Sequence, residues 1–220
     1  MRGLLVKDFR LMLQRKRFFL FLLIIALFMS FSMQENMSMI VGYLTLLSVL
    51  FCVSTMSYDE YDNCYAFLLS LPVERKTYVR EKYIYGLMNG FGAWIISVLI
   101  CAVSRIAQLQ SLPTFSQITE TLSFLLIGQL LLDLIIPLQL KYGMERGRMA
   151  MIAVIGSLSL LAFFVVKIMA ARGIPLDIYL DKAMTDANAG LLIAAAIAVL
   201  ILLTTISILI SQRIMEKKEF

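Results

Sequence analysis

Apolar residues gather in six long runs that divide the chain almost completely among themselves: Phe18–Met33, Met39–Met56, Ile84–Val103, Leu122–Leu140, Met149–Ala171 and Ala189–Ile210. A hydrocarbon core of about 30 Å requires about 20 apolar residues of helix, with about 17 at the short limit. Each run therefore predicts a membrane-spanning helix. The shortest, Phe18–Met33, can cross by local thinning of the bilayer or by snorkelling of its flanks. Residues 1–17 predict an amphipathic helix ahead of the first span. Lys7, Arg10, Gln14 and Arg17 share one face, and Leu5, Phe9, Met12 and Leu13 the other. Such a helix is held to a leaflet by apolar burial and attraction to anionic lipid. It serves either as an anchor for topology or as a lever between a cytoplasmic partner and the first span. The expected fold is an all-α polytopic membrane protein, a single membrane domain over residues 1–220.

Composition agrees with the pattern. The 220 residues are 60% hydrophobic and 16% charged, where a soluble domain carries about a quarter charged residues. The basic stretch before the first apolar run extends to Arg17, longer than the n-region of a typical signal peptide, so the run reads as an uncleaved anchor. Of 20 Lys and Arg residues, sixteen fall on one set of alternating segments and four on the other. The four are Arg105, Lys167, Arg172 and Lys182. This positive-inside bias places both termini, 57–83 and 141–148 in the cytoplasm. It also explains the net charge of +5 without nucleic acid.

The 57–83 connection carries signals of its own. Ser57-Tyr58-Asp59-Glu60 matches a capping box, which predicts a helix starting there and running from Tyr58 to Leu69. Ser70-Leu71-Pro72 ends it, and a second helix starts near Pro72. Tyr58, Asp59, Glu60, Tyr61, Asp62 and Tyr65 on the first helix, with Arg75 and Lys76 on the second, form a surface suited to docking a protein. A solvated hairpin is the plainer reading of the same residues.

Ser57-Tyr58-Asp59-Glu60, Leu69-Ser70-Leu71-Pro72-Val73, Arg75-Lys76 and Glu81-Lys82-Tyr83 together resemble small permease subunits of type 2 ABC exporters. The resemblance continues through Pro137-Leu138 and Tyr142-Gly143-Met144-Glu145-Arg146-Gly147-Arg148, and the opening residues 1–9 are similar to the group as well. Glu74 departs from the small polar residue common there. The resemblance implies a bacterial inner-membrane permease that works with a second permease subunit and with separate ABC ATPase subunits. It makes the 57–83 loop the coupling element, and Gly143, Glu145 and Arg148 a second cytoplasmic motif. The chain has no phosphate-cradling Gly-x-x-x-x-Gly-Lys-Ser/Thr element. ATP and Mg are accordingly expected on the partner, and no catalytic or metal residue in this chain.

The chain has no histidine, which removes Ser-His-Asp triads and histidine-based metal sites. Asp133, within the fourth run and one turn after Gln129, is the one ionisable residue expected deep in the bilayer. It is either a path or coupling residue or an internally paired structural acid, and is expected to face protein. Gly86 and Gly90 form a GxxxG pair suited to close helix contact within the chain. Cys52, Cys64 and Cys101 read as packing residues rather than a disulfide framework. The substrate suggested by Phe- and Met-rich spans is hydrophobic or amphipathic, a peptide or antibiotic among the candidates. A non-transporting scaffold or immunity protein and an ion-coupled transporter are the alternatives.

Overall fold

A computed structural model describes residues 1–32, 37–61, 65, 74–109, 115–171 and 189–218. Among the described residues the regular structure is helical, without strands. The helices are α1 (Arg2–Gln14), α2 (Lys16–Ser32), α3 (Met37–Glu60), α4 (Arg75–Leu109), α5 (Phe115–Ala171) and α6 (Ala189–Lys217). In hydrocarbon only a helix satisfies all its backbone groups within one segment, so apolar sequence of this length adopts little else.

Among the described residues, five helical stretches are long and apolar enough to cross a membrane: Met37–Glu60, Arg75–Ala107, Glu120–Gly143, Glu145–Met169 and Ile197–Lys217. The first expected span corresponds to α2, which at 17 residues is shorter than these five. Of the external connections expected from the sequence, 34–36, 110–114 and 172–188 lie outside the described residues, whereas 115–121, expected within the third external segment, already belongs to helix α5.

α5 contains the sharpest backbone feature. At Gly143, φ is 78° and ψ is −176°, and the helical run breaks there into two arms. That conformation suits a residue without a Cβ. The second arm doubles back, and a Cβ on Gly147 would lie 3.3 Å from the Gln139 Cα. One glycine thus makes two antiparallel spans where the sequence suggested a loop from 141 to 148.

α3 lies at the centre, against α4 and the first arm of α5, with α6 closing the far side of α5. Gly86 and Gly90 permit this packing. A Cβ on Gly86 would approach Leu132 to 2.5 Å, and one on Gly90 would approach Val49 to 2.8 Å. The GxxxG pair therefore serves contacts within the chain, as expected. Two apolar clusters fill the bundle. One joins Leu4, Met56, Tyr78, Val79, Tyr85, Leu132, Ile136 and Met215 near one end. The other joins Leu22, Ala26, Ile40, Val41 and Cys101 toward the opposite end. Cys52 and Cys101 are buried free thiols; Cys64 lies outside the described residues.

Candidate functional site

A buried charge cluster ties α1, α3 and α4 together at the end of the bundle where 57–83 emerges. Lys82 has a fully buried side chain. Its ammonium pairs with Asp8 of α1 and lies 2.8 Å from Asp59 of α3. The Thr55 hydroxyl stands 3.3 Å from the same ammonium, and the Glu81 carboxylate lies at 3.8 Å. Lys7, half-buried, pairs with Asp59 and lies 3.2 Å from Asp8. The Tyr78 hydroxyl donates to Asp59 at 3.0 Å and stands 3.3 Å from the Tyr65 hydroxyl. Burial pushes the Tyr65 phenol up to about 12, so it remains neutral. Charges taken from water at this cost persist only when paired and hydrogen-bonded. The cluster consequently fixes the amphipathic helix α1 against α3 and α4.

This changes the reading of Asp59. It was expected to face a partner, but it is 4% exposed and its oxygens are taken by Lys7, Lys82 and Tyr78. Lys7 likewise leaves the solvated basic face for the cluster. α1 buries Leu4 and Asp8, with Leu5 and Phe9 packed on the core, whereas Leu13 is exposed.

The capping box does not form either. α3 continues without interruption to Glu60, which places Ser57 inside a helix rather than at its start. The Ser57 hydroxyl donates back to the Val53 carbonyl at 3.2 Å and accepts from Gln139 Nε2 at 3.0 Å. The continuing helix already supplies partners for the amides that a cap would serve. The rest of the expected Tyr58–Leu69 helix, Asp62 included, lies outside the described residues apart from Tyr61 and Tyr65.

Tyr58 and Tyr61 remain exposed. The Arg15 guanidinium donates to the Tyr58 hydroxyl and lies 5.3 Å over its ring. Glu60, half-buried, packs against the turn of α5: a Cβ on Gly143 would fall 2.4 Å from its carboxylate. A polar cleft of about 370 Å³ results, lined by Glu60, Tyr61, Tyr142, Gly143, Glu145 and Arg146. The two motifs, some eighty residues apart in sequence, thus form one surface. The Arg148 side chain lies outside the described ones.

Arg75 and Lys76 are engaged with the end of α6. One Arg75 nitrogen donates to the carbonyls of Met215, Glu216 and Lys218 at 3.1, 2.9 and 2.9 Å. Lys76 lies 3.1 Å from Glu216. A helix C-terminus presents unsatisfied carbonyls and partial negative charge, which a guanidinium complements. Both residues therefore act within the chain, where the sequence suggested a face toward a partner.

Asp133 faces protein, as expected. Gln129 donates to one carboxylate oxygen at 3.2 Å and Thr204 to the other at 2.8 Å. Pro137 has no N–H, so the helix leaves the Asp133 carbonyl without its usual donor. The Ser207 hydroxyl replaces it at 2.5 Å. Tyr83 lies 2.6 Å from Ser207 and 3.0 Å from Ser211, which extends the network to α4. We expect Asp133→Asn to preserve folding, since an amide keeps an acceptor for Thr204. Asp133→Leu strands Gln129, while the Thr204 hydroxyl keeps the Leu200 carbonyl at 2.9 Å as acceptor, and should destabilise by about 1–3 kcal/mol. Thermal unfolding in detergent, with transport measured in parallel, checks both. Loss of transport by a well-folded Asp133→Asn protein would assign this acid to the path instead.

Sequence reasoning missed Asp8, Glu81 and Lys82 as a cluster. One signal was present: Asp8 is the only acid in residues 1–17 and lies one turn from Leu4, on the apolar side of its helix.

The fold and this site define a polytopic helical membrane protein whose amphipathic first helix is locked by charge to the adjoining ends of α3 and α4. The family described as ABC-2 family transporter protein matches residues 3–216. The chain belongs to that family and is a permease, the membrane component of an ABC transporter. No curated protein and no solved structure matches it.

Proposed function

We propose that this chain is the permease of a bacterial exporter, and that it moves a hydrophobic or amphipathic substrate, such as a peptide or antibiotic, out of the cell. Two permease subunits, identical or related, form the path across the cell membrane, with six spans each and both termini in the cytoplasm. Separate ABC ATPases bind ATP and Mg and dock on the 57–83 side. The observation that carries this reading is the juncture of exposed Tyr58 and Tyr61 with the Glu60–Arg146 cleft, directly beside the Asp8–Lys82–Asp59 cluster. Force applied to that surface reaches α1, α3 and α4 through paired charges rather than through a loop. The most apolar stretch of the second arm of α5 has no buried residue among those described, which leaves its outer face for lipid or a second subunit.

Affinity purification from the native host is expected to recover ABC ATPase subunits with the full chain. A cysteine at Thr114 is expected to label only from outside the cell. Recovery without any ATPase would favour the scaffold reading, and labelling of Thr114→Cys only from the cytoplasm would refute the topology.

A further inference from the structure

A groove between the first arm of α5 and α6 has the chemistry of a lipid site. Its inner part is a cavity of about 740 Å³ walled by Leu134, Leu138, Ile206, Ile210 and Ile214. The polar groups on its wall, Asp133 and Ser207, are engaged by Gln129, Thr204 and Tyr83. An adjoining cavity of about 450 Å³ shares Lys141, Ile210 and Ile214 with it and adds Lys217 and Lys218. The groove is therefore apolar along its length and cationic at its mouth. Lys141 lies 5.2 Å over the Tyr142 ring and Lys218 lies 5.4 Å over the Tyr65 ring. Glu216, the acid next to Lys217, is turned to Lys76.

The dimensions match one leaflet. Lys141 and Asp133 are eight residues apart on one helix, roughly 12 Å of rise, against about 15 Å for half of a 30 Å hydrocarbon core. Basic pockets between membrane helices at headgroup level bind anionic lipid headgroups. We propose that this groove binds one anionic phospholipid, its phosphate between Lys141, Lys217 and Lys218 and an acyl chain along the α5–α6 wall. Charge complementarity selects the headgroup, and the length of aliphatic wall selects a lipid over a free phosphate. The proposal needs these helices to cross a membrane. It is independent of the transport direction and of any ATPase.

Native mass spectrometry of the full chain in detergent tests it, with phosphatidylglycerol, phosphatidylcholine and glycerol 3-phosphate as probes. Phosphatidylglycerol should be retained and the other two released. Each lysine near a headgroup contributes roughly fivefold, so Lys141→Gln/Lys217→Gln/Lys218→Gln should weaken phosphatidylglycerol binding on the order of 100-fold. Ile206→Trp fills the cavity, keeps the lysines and should also weaken it. Equal retention of the two lipids, undiminished binding by the triple variant, or glycerol 3-phosphate bound as tightly as the lipid would overturn the proposal. If the triple variant loses helix content, the two-lipid comparison on the unaltered chain and the Ile206→Trp result decide it. ATPase recovery is not a readout, so failure of the exporter reading and failure of this site are distinguishable.

Discussion

Lys82→Met should destabilise the protein by about 3–5 kcal/mol, the range for breaking a buried ion pair by removing one partner. Methionine matches the lysine stem in volume, so packing is retained while the charge is lost. Asp8 and Asp59 then share half-buried Lys7 as their remaining counter-charge, with the Tyr78 hydroxyl still donating to Asp59. Glu81, with both carboxylate oxygens buried and without hydrogen-bond partners among the described residues, becomes a further uncompensated acid. The loss should appear as a lower unfolding temperature in detergent and as faster proteolysis within residues 1–15, because α1 is held through Asp8. The neutralised variant Lys82→Met/Asp8→Asn/Glu81→Gln, which keeps the Lys7–Asp59 pair, should recover most of the stability, since buried pairs are often replaced by neutral groups at little cost. A Lys82→Met protein as stable as the parent, or a neutral triple no better than the single variant, would show that the cluster does not hold α1.

Replacing Glu60 and Tyr61 together by Ala should weaken ATPase association on the order of 30-fold, which corresponds to about 2 kcal/mol for a central interface residue. Tyr61 is 65% exposed in the isolated chain, as a residue awaiting a partner should be. ATP hydrolysis should continue while export falls, and membrane insertion should be unaffected. The geometry refines the test. Because Ser57 lies within α3, loss of Glu60 removes no helix cap, but it does remove the packing against Gly143. Tyr61→Ala alone should therefore reproduce most of the loss if Tyr61 makes the contact. Unchanged ATPase binding and export in the double variant would remove the coupling role from this surface.

The sequence was informative wherever a single segment sufficed to decide the outcome. An apolar run of span length has one low-energy form in lipid, because its backbone must bond to itself, so the helices from Met37 onward were legible without knowledge of neighbours. A lone acid at membrane depth has to find polar company, so the burial of Asp133 was legible too, though not the identity of Thr204. The order and spacing of the two sequence motifs pointed to the family that the match over residues 3–216 establishes.

Tertiary structure decided which charges met. Asp59 and Asp8 lie 51 residues apart and Lys82 is on a third helix, so nothing local marked them as partners. Their attraction overrode the solvation expected of charges beside a loop. The capping signature at Ser57 failed for a related reason: Gln139, from a helix far along the chain, occupies the hydroxyl while α3 runs on. Arg75 was spent on carbonyls of α6 that exist only once the two helix ends are adjacent. At Gly143 the sequence permitted a left-handed residue, and the packing of the returning arm on Gln139 selected it. Local sequence thus determined what could cross the membrane. Long-range pairing of charge and hydrogen bonds determined how the crossings were locked together, because such energies arise only between groups that the fold has already brought out of water.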